Sequence, residues 1–150
     1  MRFAWKATLP WDTVRAMSEE NVEVVRSQLA ALTRGSDADA GAEYWDPEID
    51  WRAIEGAPDD VGIMQGRDAL HHYYEQWYET FDEIRTEPEE LTDAGDQVVA
   101  AVHVIARMKG SDAEINMRLG IVYTLRDGKI IRGREYATWQ EALEAAGLSE

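Results

Sequence analysis

The chain has 150 residues, of which 45% are hydrophobic and 30% are charged, a size and composition typical of one soluble globular domain. Its formal net charge of −15 argues against nucleic acid and anionic membranes as partners, because both are bound by clustered Lys and Arg. The sequence contains no cysteine, which excludes disulfides, thiol catalysis and zinc–thiolate sites.

The first residues of the chain differ from the rest. Residues 1–17 are net basic, are interrupted by Pro10 and show no sustained periodicity, so we predict a poorly ordered extension there and one domain over 18–150. Met17 directly precedes a predicted helix start and is a candidate for the true first residue. The start lacks the apolar segment of a signal peptide, and no apolar run approaches the ~20 residues that span a bilayer. We therefore expect a cytoplasmic protein.

Helical signals dominate the first half of the domain. Ser18 can cap a helix whose apolar residues recur at helical spacing, and Gly35 ends that helix. After Pro47, polar and apolar residues alternate as they do in a strand. The predicted elements are a helix at 19–34, a short helix at 37–44, a strand at 48–54 and a loop at 56–66.

The second half predicts one long helix followed by a meander of strands. An apolar helical face follows Gly66, and Asp127 with Gly128 forms a turn signal between two β-prone runs. The predicted elements are a helix at 66–81, strands at 84–92, 97–109, 113–126 and 129–137, and a terminal helix at 139–146. This order predicts an α+β fold in which helices cover one face of a curved, mostly antiparallel sheet. The interior of such a cone is the natural small-molecule site.

The turn at 127–128 decides which side chains surround Glu135. A two-residue loop sets Gly120 opposite Glu135 and places Arg118 on the same face, whereas a three-residue loop sets Leu119 opposite Glu135 and turns Arg118 away. We favour the three-residue form because it surrounds Glu135 with apolar side chains of the preceding strand. Those side chains are Met117, Leu119 and Ile121.

Five short segments form a pattern along the chain: SEENVEVV at 18–25, WDPEIDW at 45–51, GRDA at 66–69, LRDGKI at 125–130 and REY at 134–136. Together they resemble the SnoaL-like branch of the nuclear transport factor 2-like superfamily, over residues 18–147. The resemblance implies a cone-shaped α+β fold with helices on the concave face of the sheet, a deep apolar pocket, and a homodimer formed through the outer sheet face. It does not imply one reaction, because the superfamily includes several kinds of enzyme and members without known activity.

Two chemistries of the superfamily lack their acids in this chain. Ketosteroid isomerases use an aspartate base, a tyrosine and a second acid. The corresponding positions are near Trp51 or Arg52 for the base, near Gln28 for the tyrosine and near Ile121 for the second acid, and none of them matches. The acid of the polyketide cyclases also falls near Ile121. Asp50 is a candidate for a displaced base, but strand alternation puts it on the face opposite Trp51.

A third chemistry is incomplete. Limonene epoxide hydrolases use an Arg-x-Asp pair on one strand and an acid on its neighbour. This chain resembles them in having Arg118 beside Glu135, but Gly120 stands where the middle acid would be. The set that activates water is therefore not present.

Glu135 is the main ionisable group of the predicted pocket. Desolvation would raise its pKa towards the range useful for general acid–base catalysis. The structural alternative is a glutamate that hydrogen-bonds a Tyr, Trp or His across the cone or pairs with an arginine. His103 is the candidate proton-transfer partner if it points inward, and otherwise belongs to the outer face. The candidate pocket-lining residues are Trp51, Tyr74, Trp77, Met117, Arg118, Leu119 and Ile121.

We expect no metal and no cofactor. His71 and His72 are adjacent on a helix and point about 100° apart, so they do not chelate one metal in the usual way. Glu75 lies one turn beyond His71, but two ligands at this spacing are weak support for a metal site.

These observations predict a SnoaL-like protein whose partner is a hydrophobic or aromatic small molecule. General acid–base catalysis on a polyketide-, steroid- or terpenoid-like substrate, of the isomerase, cyclase or hydrolase type, is one hypothesis. The other is a non-catalytic binding or dimerisation module whose pocket is filled by its own aromatic side chains. Two ionisable groups within hydrogen-bond reach would favour the enzyme, and a pocket filled by Trp51, Tyr73 and Trp77 would favour the module.

Overall fold

The computed structural model describes residues 11–34 and 41–148. Its helices are α1 (Trp11–Arg34), α2 (Arg67–Thr80) and α3 (Trp139–Ala145), with one 3-10 turn at Ala42–Tyr44. Its strands are β1 (Trp45–Arg52), β2 (Met64–Gln65), β3 (Phe81–Ala94), β4 (Gln97–Met108), β5 (Glu114–Arg126) and β6 (Lys129–Tyr136).

Helix α1 begins earlier than predicted. It starts at Trp11 rather than at Ser18, because no Gly or Pro interrupts residues 11–34. Residues 1–10 lie outside the described part of the chain, and the division into an extension and a domain stays a prediction. Of the short helix predicted at 37–44, residues 37–40 also lie outside it, and the described remainder is the 3-10 turn.

The six strands form one mixed sheet in the order β2-β1-β6-β5-β4-β3. Neighbouring strands are antiparallel except for β1 and β6, which run parallel. β-Bulges interrupt the pairing of β3 with β4 and of β5 with β6, and such bulges bend and twist a sheet. The result is an open, curved α+β sheet, which confirms the predicted fold class.

The main core lies on the concave face of the sheet, under α1 and α2. Alternate residues of β4, such as Val98, Val102 and Val104, point into it and are buried, as the two-residue period of a strand requires. Helix α3 packs on the opposite face, where it forms a second and smaller cluster. That cluster contains Val99, Val122, Ala142 and Leu143. The long strands therefore carry apolar side chains on both faces where α3 covers them.

Among the described residues, no helix has the length and hydrophobicity that are needed to cross a membrane.

Candidate functional site

The turn between β5 and β6 has two residues rather than three. Asp127 and Gly128 both have positive φ, at 53° and 76°, and Arg126 lies opposite Lys129. Asp tolerates this left-handed conformation, and a two-residue loop of this kind matches the twist of the flanking strands. The prediction of a three-residue loop is therefore wrong.

A β-bulge directly after the turn changes which face of the sheet each later residue of β6 points to. Leu125 lies opposite Ile130, whereas Thr124 lies opposite Arg132, so one residue of β6 is left unpaired. The bulge moves the register by one position, and Glu135 comes to lie opposite Ile121. Glu135 thus shares the concave face with the apolar side chains of β5, as predicted, although neither predicted register was right.

The carboxylate of Glu135 accepts a hydrogen bond from the neighbouring strand β1. The indole Nε1–H of Trp51 donates to its Oε2 at 2.9 Å, and Trp51 itself is 1% exposed. Trp51 lies opposite Gly133 in the parallel pair of β1 and β6. A Cβ at position 133 would stand 2.0 Å from a carbon of the Trp51 ring, so only glycine lets the ring lie over β6 and reach Glu135.

Burial raises the pKa of Glu135 to about 7. Loss of solvent around the carboxylate is the largest cause, because water stabilises the charged form of a carboxyl group. The hydrogen bond from Trp51 opposes the rise, and the negative charge of Asp59 adds to it. The residue as a whole is half-buried, and no described cation is paired with it.

Glu135 borders a narrow cavity under α1 and α2. The volume of the cavity is about 40 Å³, and aromatic side chains form much of its wall. The ring of Trp51 stands edge-on to Tyr123 at 5.6 Å, and Tyr73 lies 6.1 Å from Trp77. The lining includes Tyr73, Tyr74, Trp77, Ile121, Tyr123 and Glu135.

A second carboxylate reaches the rim of this cavity from the loop between β1 and β2. The hydroxyl of Tyr73 donates to Asp59 Oδ2 at 2.6 Å. Burial, and after it the charge of Glu135, raises the pKa of Tyr73 well above its usual value, so this hydroxyl keeps its proton and acts as a donor. Sequence reasoning missed Asp59, because the composition of the segment 56–66 indicated a loop and nothing more.

The same loop is fixed at its base by the next residue. Asp60 accepts hydrogen bonds from Arg52 Nη2 at 2.9 Å, from Gly56 N at 2.8 Å and from Gly62 N at 2.9 Å. The Arg52 hydrogen bond, followed by the two backbone donors, holds the pKa of Asp60 well below its usual value. Asp60 is therefore a charged anchor at the base of the loop.

A family model described as SnoaL-like domain matches residues 25–133, which is most of the chain. The chain belongs to the SnoaL-like domain family. This confirms the resemblance inferred from its motifs. A search of curated protein sequences finds no significant match.

Solved structures share the fold of this SnoaL-like domain at low sequence identity. An NTF2-like protein of unknown function from Burkholderia pseudomallei is 16% identical, with a TM-score of 0.69 over 83% of this chain and 95% of that one. TerC, co-crystallised with polyporic acid, is 18% identical, with a TM-score of 0.69 over 85% and 98%. The epoxide hydrolase/cyclase-like enzyme SalBIII is 20% identical, with a TM-score of 0.67 over 80% and 92%. At these identities the likeness shows the fold alone.

Most of the predicted pocket residues lie near Glu135 in the SnoaL-like domain. Trp51 bonds its carboxylate, and Met117 borders a groove outside the cavity rather than the cavity itself. The predicted residues that line the cavity are Tyr74, Trp77, Leu119 and Ile121.

His103 and Arg118 do not lie near Glu135, and their placement in the pocket is a correction. They lie opposite each other on β4 and β5, on the outer face of the sheet. His103 Nε2 is 2.9 Å from Asn116 Oδ1, and Arg118 Nε donates to Glu89 Oε1 at 3.0 Å. Because side chains alternate along a strand, the bulge that turns Glu135 inward leaves both residues outward.

Asp50 also lies away from the cavity. Its carboxylate is 2.7 Å from Arg134 Nη2, on the face opposite Trp51. This ion pair joins β1 to β6 behind the site and does not put Asp50 in the position of a base.

The histidines of α2 lie at the surface. His71 Nε2 and His72 Nδ1 are 3.6 and 3.5 Å from the two carboxylate oxygens of Glu75. Within residues 11–34 and 41–148, no group of three or more His, Asp or Glu side chains is arranged to hold a metal ion.

Proposed function

We propose that this SnoaL-like domain binds a hydrophobic or aromatic small molecule beside Glu135 and that Glu135 exchanges a proton with it. One observation carries the proposal: a carboxyl group with a pKa of about 7 stands at an aromatic cavity with a single described hydrogen-bond donor. At neutral pH such a group is present in both protonation states, so it serves as an acid or as a base.

The geometry leaves one carboxylate oxygen for the ligand. Trp51 bonds Oε2, and no described group bonds Oε1. As a base, Oε1 takes a proton from an O–H or an acidic C–H of the ligand. As an acid, the resulting carboxyl group returns that proton to another atom of the same molecule, which is the balance of an isomerase- or cyclase-type reaction.

The lining of the cavity supports an apolar ligand of the polyketide, steroid or terpenoid kind. Its wall is made of aromatic and aliphatic side chains, with Glu135 as the acidic group among them. TerC was crystallised with polyporic acid, and SalBIII is described as acting in pyran ring formation. These proteins support the proposal as examples of small-molecule chemistry on the same fold.

The small size of the cavity favours a second candidate function. About 40 Å³ is room for only about three water molecules, and Tyr73 and Trp77 occupy the space that a ligand would need. The bond from Trp51 to Glu135 also fits a structural glutamate. A cytoplasmic homodimer that packs through its outer sheet face, with no ligand, is therefore the alternative.

A thermal-shift screen separates the two functions. Steroids, terpenoids and polyketide-like aromatics are tested on the wild type and on Glu135→Gln, with Glu89→Gln on the outer face as the matched control. A ligand at about 100 times its dissociation constant should raise the melting temperature of the wild type and of the control by roughly 5–10 °C.

Hits are then incubated with each protein, and proton exchange into the ligand is followed by NMR in D2O. The wild type and the control should catalyse exchange, and Glu135→Gln should not. If no compound stabilises any of the three proteins, the non-catalytic module is the better account. Equal exchange with all three would remove Glu135 from the mechanism.

A further inference from the structure

Two spaces of very different size lie on either side of α2. Behind the helix is the cavity of about 40 Å³ that contains Glu135. In front of it is an open groove of about 790 Å³, lined mainly by apolar side chains of the loop before β2, of α2 and of β5. Among the residues that the structure describes, Tyr73 and Trp77 alone line both spaces, so these two side chains form the partition between them.

Size decides which space can receive a ligand. Small-molecule sites usually measure about 300–1,000 Å³, which is the range of the groove and far above the cavity. A ligand that reaches Glu135 through this cavity must therefore bring the volume of the groove into it. Movement of the partition does this without disturbing the sheet.

One hydrogen bond holds the partition closed. The hydroxyl of Tyr73 donates to Asp59 at 2.6 Å, and Asp59 stands on the loop that Asp60 anchors through Arg52 and the backbone of Gly56 and Gly62. The loop presents Asp59 from this anchored base. Release of the Tyr73 side chain therefore requires the loss of this bond, a side-chain rotation and the loss of its ring contacts with Tyr74 and Trp77.

The outer side of the partition offers an apolar surface. Val61 is 69% exposed at the edge of the groove, next to Met64, Phe81 and Met117 in its wall. Exposed apolar side chains that converge on a groove are characteristic of ligand-binding surfaces. The groove is continuous with the partition, because Tyr73 itself forms part of its lining.

We propose that this groove is the entrance through which an apolar aromatic molecule reaches Glu135, and that Tyr73 is its gate, held closed by Asp59. The ligand packs first on Val61, Met64 and Phe81, and rotation of Tyr73 then joins the groove to the cavity. The identity of the ligand rests on the proposed function above. The gate does not, because its opening is measured without any ligand.

A competing entrance exists at the other end of Glu135. The residue also borders a polar groove between α3 and the ends of β1 and β6, where Arg52, Arg134 and Tyr136 are part of the wall. Access from that side would not depend on Tyr73 or Asp59. The two routes therefore make opposite predictions for substitutions at the gate.

Hydrogen–deuterium exchange of indole N–H groups, followed by NMR, tests the gate. The Trp51 indole N–H bonds Glu135 inside the cavity, so its exchange reports solvent access there. The Trp45 indole N–H is buried and has no hydrogen-bond partner among the described residues. Trp45 lines neither the cavity nor the groove, so it reports opening of the whole core. The ratio of the two rates isolates local opening.

The gate is loosened by Asp59→Ala and by Tyr73→Phe, each of which removes one side of the hydrogen bond. Each should speed Trp51 exchange roughly tenfold to a hundredfold relative to Trp45, since a hydrogen bond to a charged acceptor is lost. The matched control is Tyr74→Phe, which removes a hydroxyl from the cavity but not from the gate. It should leave the ratio unchanged.

Unchanged exchange in both gate variants would overturn the proposal and point to the polar groove beside α3. So would an equal acceleration in Tyr74→Phe. In a second measurement, 2-naphthol is mixed with each protein and its association rate is followed by stopped-flow fluorescence. Faster association in the gate variants supports the groove as the entrance. If exchange is gated but no aromatic ligand binds to any variant, the proposed function fails while the gate stands.

Discussion

Glu135 and Glu89 lie on opposite faces of the same sheet, and their pKa values move in opposite directions. The pKa of Glu135 rises to about 7, chiefly because its carboxylate is desolvated. The pKa of Glu89 falls below its usual value, chiefly because Arg118 donates hydrogen bonds to it. Glu135 lies on β6 and Glu89 lies on β3 of the same sheet, so membership of a strand does not explain why their pKa values differ. The face of the sheet on which each residue lies explains the difference between the two pKa values.

The outer face is a surface of exposed ion pairs. Glu89 pairs with Arg118 at 3.0 Å, and Arg107 pairs with Glu83 across β3 and β4. Such pairs contribute little stability, because water screens them and two long side chains must be ordered. On the concave face a single carboxylate stands without a described cation. Functional chemistry is therefore expected on the concave face, where one carboxylate is isolated, and not on the outer face, where charged side chains are most abundant.

The largest effect is expected from filling the space that lets Trp51 reach Glu135. Gly133→Ala places a Cβ about 2.0 Å from the ring of Trp51, so the buried ring must move or the strands must separate. We expect a loss of unfolding free energy of about 3 kcal/mol or more, at the upper end of what overpacking costs. Urea denaturation measures this loss.

Gly120→Ala is the matched variant on the other face. Its Cβ would stand 2.6 Å from Ala142 Cβ and 2.9 Å from the backbone oxygen of Thr138, so the short helix α3 must shift as a unit rather than a buried aromatic ring. We expect a smaller loss of about 1–2 kcal/mol. If both variants lose the same free energy, the concave face is no more tightly packed than the surface under α3.

The second effect is the dependence of stability on pH that Glu135 imposes. Between its usual pKa of 4.5 and its folded value of about 7, the unfolded chain releases the proton while the folded chain keeps it. Folding stability therefore falls as the pH rises through this window, by about 3 kcal/mol in total. Glu135→Gln lacks this loss. Its stability relative to the wild type should rise by about 3 kcal/mol between pH 4 and pH 8, as measured in urea.

The control for this pH dependence is the same titration with Tyr74→Phe, which changes the cavity but not its carboxyl group. Its stability relative to the wild type should be independent of pH over the same range. A difference for Glu135→Gln that is likewise constant from pH 4 to pH 8 would mean that Glu135 has an ordinary pKa, and the contrast with Glu89 would lose its basis.

A third and smaller effect isolates the hydrogen bond from Trp51. This bond lowers the pKa of Glu135 and opposes desolvation, so Trp51→Phe should raise that pKa further, by about one unit. Titration of the Glu135 carboxyl carbon by NMR measures the change. Tyr74→Phe is the control, since Tyr74 lines the same cavity but is not part of the partition formed by Tyr73 and Trp77. A lower pKa in Trp51→Phe would mean that water had replaced the indole.

Much of the fold follows from local pattern. The alternation in 48–54 and the long β-prone runs after 84 predicted five of the strands, because each repeats its pattern over many residues. Strand β2, at Met64–Gln65, was predicted as loop, since two residues carry no period and are a strand only through pairing with β1. The start of α1 was wrong because a plausible cap at Ser18 lies inside a longer run without Gly or Pro.

The site was less predictable, because it depends on register and on tertiary contacts. Glu135 was found as an acid in an apolar strand, but the face it occupies depends on a bulge that has no sequence signature here. The same uncertainty misplaced His103 and Arg118. Asp59 acts through a loop that folds back on Tyr73, a contact that no local spacing encodes. The sequence pattern shows which side chains of a strand share a face. The turn and the bulge decide whether that face points into the core or outward.

The smallest effect is expected on the outer face, at the ion pair of Glu89 with Arg118. Arg118 lowers the pKa of Glu89, so the pair stabilises the fold above the usual glutamate pKa and this stabilisation is lost as the pH falls through the lowered value. That direction is opposite to the one expected for Glu135. Because the side chains of Glu89 and Arg118 are 43% and 66% exposed, Glu89→Gln should barely shift the urea midpoint at pH 7.

Any such shift should vanish in 1 M NaCl, where the screening length is only about 3 Å. Glu135→Gln should keep its pH-dependent difference at the same salt concentration, because an enclosed carboxylate is poorly screened. If salt instead removes the effect of Glu135→Gln, the carboxylate is open to solvent and its raised pKa cannot come from burial. The response to salt therefore tests whether the face of the sheet sets the direction of the pKa shift in Glu135 and in Glu89.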